Sequence, residues 1–89
     1  MRTFSRTGQI KKDVERAAKR GKDLVKLKTV IDHLIDEVEL PPGYKDHPLR
    51  GNFEGSHDCH IEPDWVLIYT LEAGHVRFER TGTHSDLFE

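Results

Sequence analysis

Residues Trp65-Val66-Leu67-Ile68-Tyr69 form a continuous apolar, aromatic and β-branched run. A run this short without polar alternation needs burial on both faces, so it reads as the central strand of a small sheet rather than a half-exposed edge. The residues just before it behave differently. At period two, His60, Glu62 and Asp64 share one face and Ile61 takes the other, which aims an imidazole and two carboxylates the same way. Such a trio is either an acid/base cluster on a rigid support or the plainer solvated start of a strand. His47 before it, and Arg80 and His84 after it, add chemistry of the same kind.

The chain has 89 residues, 35% apolar and 34% charged, which fits one domain spanning residues 1–89 with one modest core. No apolar run approaches the roughly 20 residues that cross a bilayer, and the N-terminus lacks the apolar core of a signal peptide. The expectation is a cytosolic protein with no membrane partner. The single cysteine, Cys59, cannot form an internal disulfide and lies on the Ile61 face, which makes it core filler.

A net charge of −2 conceals a division within the chain. Residues 1–28 carry ten Lys and Arg against three acids, net +7, and residues 29–89 carry four against 13, net −9. Lysines on a helix face ordinarily only solubilise it. A patch this uneven is also what a phosphate backbone selects, and Lys11, Lys12, Arg16 and Lys19 are its candidate nucleic-acid contacts.

Thr3 and Phe4 suit a short edge strand. From Gln9 to Arg20, Ile10, Val14, Ala17 and Ala18 recur at helical spacing, and Gly21 ends this helix as a left-handed cap. Asp23 caps a second helix with the stripe Leu24, Leu27, Val30, Ile31, Leu34 and Val38, stopped by Pro41-Pro42-Gly43. The two make an αα-hairpin with one shared buried face, and His33, beside Leu34 in the second helix, is a surface or boundary residue rather than a ligand. A loop over residues 41–51 follows, long for so small a domain, and Pro48 imposes extended backbone on His47. His57 to Glu62, Trp65 to Leu71 and His75 to Thr81 then form an antiparallel meander of three strands, turning at Glu72-Ala73-Gly74. Pro63 implies a bend before Asp64. An unbroken pleat puts Arg80 on the apolar Val76/Phe78 face, so either Arg80 lies beyond the core or a bulge redirects it.

Five of the six histidines fall in the second half of the chain. There is no Gly-rich phosphate loop, no paired-cysteine site and no nucleophile elbow. A zinc site from His57, His60 and His84 has neither suitable spacing nor a helical HExxH behind it. Metal-free acid/base chemistry fits better: a base for a ribose 2′-hydroxyl, an acid for the 5′-oxygen and a cation for the phosphorane charge.

Three segments together resemble the YafQ branch of the RelE-type toxins of bacterial toxin–antitoxin systems. They are Tyr44-Lys45-Asp46-His47-Pro48-Leu49, His60-Ile61-Glu62-Pro63-Asp64-Trp65 through Ile68-Tyr69, and Arg77-Phe78-Glu79-Arg80-Thr81-Gly82-Thr83-His84 with Leu87-Phe88. The resemblance implies an α+β RelE-like microbial RNase fold, an N-terminal α-helical hairpin packed on a small curved antiparallel β-sheet. It implies a ribosome-dependent mRNA endoribonuclease, for which, with metal-free acid/base chemistry, no cofactor or metal is expected. It also implies neutralisation by a ribbon-helix-helix, DinJ-like antitoxin, through which alone operator DNA is reached. Carried over by position, it places His47, His60, Asp64, Arg80 and His84 in the active site, with Trp65 and Phe88 supporting substrate or local packing. His57 stands where relatives commonly carry Arg. The alternative from another class is a non-catalytic antitoxin-binding module acting mainly in operon autorepression; a chain stripped of catalysis should have lost the acid/base set, which this one retains.

Overall fold

The computed structural model describes residues 1–49 and 55–88, so the last two loop positions of the expected 41–51 segment lie outside the described residues. Along the chain come β1 (Thr3–Arg6), α1 (Gly8–Lys19), α2 (Leu24–Ile35), a 3-10 turn (Pro42–Tyr44), β2 (His47–Pro48), β3 (His57–Glu62), β4 (Trp65–Glu72), β5 (His75–Gly82) and α3 (His84–Phe88). The sheet order is β1-β5-β4-β3-β2. β4 is therefore the middle strand, and Trp65 to Tyr69 are all at most 1% exposed, as their unbroken apolar character requires. The expected antiparallel meander is β3-β4-β5. It gains a two-residue antiparallel strand, β2, on one side and β1, parallel to β5, on the other.

Asp23 caps α2 as the sequence suggests, accepting from the Val25 amide, and Thr7 caps α1 by accepting from the Ile10 amide. Gly21 adopts φ +79° between the helices, a conformation glycine takes without the Cβ penalty. The apolar stripes are narrower than expected. Ala18 is exposed, whereas Asp13 is 1% exposed within α1; Leu24 and Val38 are 37% and 53% exposed. α2 also stops at Ile35 rather than at Pro41. Glu37 turns the chain at φ +60°, and Arg2 takes two terminal carbonyls, its amide bonding Ile35 O at 2.6 Å and its Nη1 bonding Leu34 O at 2.7 Å. Helix-end carbonyls satisfied in this way need no proline to end the helix.

Two apolar layers result. Ile10, Ala17, Leu27, Val30 and Leu34 pack with Cys59, Leu67, Tyr69, Val76 and Phe78 on one face of the sheet, while Val66, Ile68 and Leu87, with Leu49, fill the other. Among the described residues no helix is long and apolar enough to cross a membrane.

Two register shifts decide which side chains share the second face. Between His60 and Glu62 the ladder slips, so Glu62 opposes Trp65. Its carboxylate accepts from Lys22 and Lys26, each at 2.9 Å. This corrects the expectation of a common His60, Glu62 and Asp64 face, because a bulge reverses the alternation on which that expectation rests. The second shift makes Ile68 pair with Arg80 and Tyr69 with Phe78, leaving Glu79 as the extra residue. Arg80 thereby leaves the Val76/Phe78 face and joins the row of Ile68, as the bulge alternative anticipates.

Candidate active site

The register lays down the floor of the site. Asp58, Ile68 and Arg80 form one cross-strand row, and His60, Val66 and Gly82 form the next. Residues directly opposite across a ladder share a face, so Asp58, His60 and Arg80 originate on the face that α3 covers. His47 enters because β2 pairs it with Asp58. Its approach is held from behind by Tyr69, whose hydroxyl donates to Asp46. Burial first, then Asp46, pushes the Tyr69 phenol well above its ordinary range, so the hydroxyl remains a donor to that loop.

α3 delivers His84. A five-residue helix is too short to be stable alone, and three contacts hold this one. Thr83 and Asp86 cap each other, the Thr83 amide donating to Asp86 Oδ2 at 3.0 Å and the Asp86 amide to Thr83 Oγ1 at 3.1 Å. Asp86 also accepts from Arg20 Nη1 at 2.6 Å and lies 3.5 Å from Arg16 Nη2. Leu87 is 6% exposed in the second apolar layer. Gly82 makes room for this clamp, since a Cβ there would meet Asp86 Oδ2 at 2.9 Å and Arg16 Nη2 at 3.1 Å.

Three imidazoles line up on the floor. His47 and His60 stack with ring centres 6.3 Å apart, and His60 and His84 lie 5.3 Å apart with their Nε2 atoms in contact at 3.3 Å. On the far side His84 donates twice to Asp64 Oδ1, from its backbone amide at 2.9 Å and from Nδ1 at 2.6 Å. Those two bonds hold the Asp64 carboxyl below the ordinary carboxylate range. An ionised Asp64 fixes the Nδ1–H tautomer of His84, which makes His84 Nε2 an acceptor and His60 Nε2–H its donor. The chain of hydrogen bonds thus runs from His60 through His84 to Asp64.

Asp58 sits beneath this row, 3% exposed. Burial raises its carboxyl above the usual range, although His47, His60 and His84 all pull it down. Its Oδ1 is 2.9 Å from His47 Nδ1, but that nitrogen bonds Lys45 O at 2.7 Å, and among the described residues Oδ1 accepts no hydrogen bond. The contact is electrostatic. Sequence reasoning missed Asp58, though its position two residues before His60 puts it on the same face.

The other expected residues divide. Arg80 bonds Asp13 through Nε at 2.7 Å and Nη2 at 3.2 Å. Phe88 is 43% exposed, its ring 6.1 Å from that of His84. Trp65 is 1% exposed and donates to Thr81 Oγ1 at 3.0 Å; at that burial it packs the core rather than offering a face to a base. Lys11, Lys12 and Lys19 are exposed on α1, whereas Arg16 is engaged by Asp13 and Asp86. His57 stacks on Tyr69 at 5.5 Å, and Tyr69 belongs to the helix-facing layer. The trio His57, His60 and His84 therefore does not converge. Among the described residues no group of three or more His, Cys, Asp or Glu is arranged around a common metal position. His75 bonds Thr3 and Ser5 at 2.7 and 2.9 Å and ties β1 to β5, away from the row.

A family model described as "Bacterial toxin of type II toxin-antitoxin system, YafQ" matches residues 2–89. The chain belongs to the YafQ family. The mRNA interferase toxin YafQ of Escherichia coli strain K12 is 52% identical over 88 residues, 98% of this chain and 96% of that one. Among solved structures, the E. coli DinJ–YafQ complex contains a chain similar at TM-score 0.94 and 50% identity, with 100% of both chains covered. A metal-bound toxin from Helicobacter pylori is similar at TM-score 0.92 and 37% identity, covering 99% of this chain and 100% of that one. The α+β class read from the sequence is that of the E. coli YafQ chain.

Proposed function

We propose that this YafQ-family chain is an mRNA endoribonuclease that cuts ribosome-bound message through the ribose 2′-hydroxyl, using the imidazole row, Asp64 and Arg80. The observation that carries the reading is the relay His60–His84–Asp64 with His47 on its other side. His60 Nε2 and His84 Nε2, 3.3 Å apart, leave no room for a phosphorus atom between them, so they act as one unit. His47, 6.3 Å from His60, is the second. In-line displacement needs a base at the 2′-oxygen and an acid at the 5′-oxygen on opposite sides of phosphorus, and these two units supply them. Arg80 stabilises the added negative charge of the phosphorane. No step requires a metal.

Partners follow from the relatives. E. coli YafQ is seen bound to DinJ, which supports a DinJ-like ribbon-helix-helix antitoxin here, with operator DNA contacted only through it. The exposed lysines of α1 are the surface for ribosomal RNA. Induced expression without the antitoxin, followed by mapping of mRNA ends, tests the reading. Growth arrest with cuts inside translated codons is expected; unimpeded growth with intact message would replace it with the non-catalytic binding role.

A further inference from the structure

Asp13 stands out because it lies in the most basic part of the chain, on a helix, and is nonetheless 1% exposed. Its surroundings follow from the sheet. β1 covers β5 only from His75 to Phe78, and Thr7 extends that cover by bonding the carbonyls of Phe78 and Glu79. Beyond it the next edge amide, that of Thr81, donates to Asp13 Oδ2 at 3.2 Å. The same carboxylate takes Arg80 Nε at 2.7 Å and Nη2 at 3.2 Å, Gln9 Nε2 at 3.2 Å and Arg16 Nη2 at 3.2 Å. Burial alone would raise its pKa, but the bonds from Arg80, Gln9 and Thr81 outweigh that and hold it ionised.

An edge amide needs one acceptor, and a serine or asparagine would serve. A full carboxylate gripping the guanidinium along its Nε–Nη2 side does more. It fixes the plane of the fork, and among the described residues Nη1 has no hydrogen-bond partner, so the opposite edge stays open to a phosphate. Arginine otherwise retains several rotatable bonds, and ordering them in advance removes an entropy cost from the transition state. The bulge at Glu79, which puts Arg80 on the site face, also sets it beside Asp13.

We infer that Asp13 is a positioning residue for RNA cleavage, holding the Arg80 guanidinium in the orientation that meets the phosphorane. The inference rests on the role proposed for Arg80. It is tested by a double-mutant cycle of Asp13→Asn and Arg80→Ala, measuring single-turnover cleavage on programmed ribosomes, ribosome affinity and thermal stability. Asp13→Asn should slow cleavage by about tenfold to about 100-fold, leave ribosome affinity within about twofold, and slow nothing further once Arg80 is alanine. The Arg80 Nε–H resonance should lose its order in Asp13→Asn. An equal loss in both backgrounds, or an unchanged Arg80 signal, makes Asp13 a fold residue and overturns the inference. If Arg80→Ala alone leaves the rate intact, the proposed role of Arg80 fails first and takes this one with it. Should Asp13→Asn not fold, Asp13→Glu, which keeps the charge on a longer arm, goes through the same cycle with the same outcomes deciding.

Discussion

Asp64 Oδ1 accepts from the backbone amide and from the Nδ1 of a single residue, His84, at 2.9 and 2.6 Å. Position and tautomer of the imidazole are thus set by one oxygen. In Asp64→Asn the amide group donates as well as accepts, which permits the opposite tautomer and breaks the relay to His60. Cleavage should fall by roughly 10² to 10⁴ with thermal stability little changed, because the pair is exposed. His60→Gln and His84→Gln should each cost about as much as both together, whereas His47→Gln should add a further loss to either. Purely multiplicative effects for His60 and His84 would separate them into independent groups.

Arg80 offers a planar fork where lysine offers a point charge. Arg80→Lys should lower the chemical step by at least about tenfold while ribosome affinity changes by less than about threefold. Comparable losses in both would make Arg80 an ordinary binding residue.

Much of this fold is legible in the residues themselves. The apolar run marks the middle strand, the caps and turns sit where Gly21, Asp23 and Gly74 predict, and the three motifs point to the family. What escapes is mostly of one kind. The bulges at His60/Glu62 and at Glu79 insert a single residue, and period-two reasoning then assigns every later side chain to the wrong face. Asp13, Asp58 and Asp86 pass for surface acids in the sequence because charged residues are seldom buried; their partners, Arg80, the imidazoles and Arg20, come mostly from other segments. The end of α2 at Ile35 depends on Arg2, which no local pattern reveals.

The carboxylates make opposite contributions to acid stability. Asp86 is held well below the usual range, first by Arg20 and then by the Thr83 amide. A lowered folded-state pKa gives stability that is present above the unfolded value, about 4, and is lost as the pH falls through the folded value. Asp58 is raised by burial, so its ionisation opposes folding as the pH rises past that same value. In melting curves across pH, Asp86→Asn should lower Tm at neutrality, with the gap to the parent closing below about pH 3. Asp58→Asn should raise Tm at neutrality while slowing cleavage, since it removes the negative charge under the three histidines. A lowered Tm for Asp58→Asn would show that its charge is stabilised by more than those imidazoles.

Lys11, Lys12 and Lys19 flank the buried stripe of α1, so reversing their charge should preserve the fold. Ribosome affinity should drop, and its log–log dependence on salt should flatten by roughly 0.7 to 0.9 for each phosphate no longer neutralised. Arg16 is left out of this set because it contacts Asp13 and Asp86, where reversal would disturb the clamp on α3. A folded triple variant with unchanged affinity and salt slope would reduce the patch to a solvated face.

The most direct measurement uses a ribosome-bound message carrying one 2′-deoxyribose at the nucleotide whose 3′-phosphate is cut, with EDTA-treated protein and single-turnover conditions. Cleavage at that site should vanish, while the all-ribose message is cut with the same protein and leaves a 2′,3′-cyclic phosphate on the upstream fragment. Cleavage of the deoxy message at the parent rate, or cleavage of the ribose message only after a metal is restored, would contradict attack by the 2′-hydroxyl through the imidazole row.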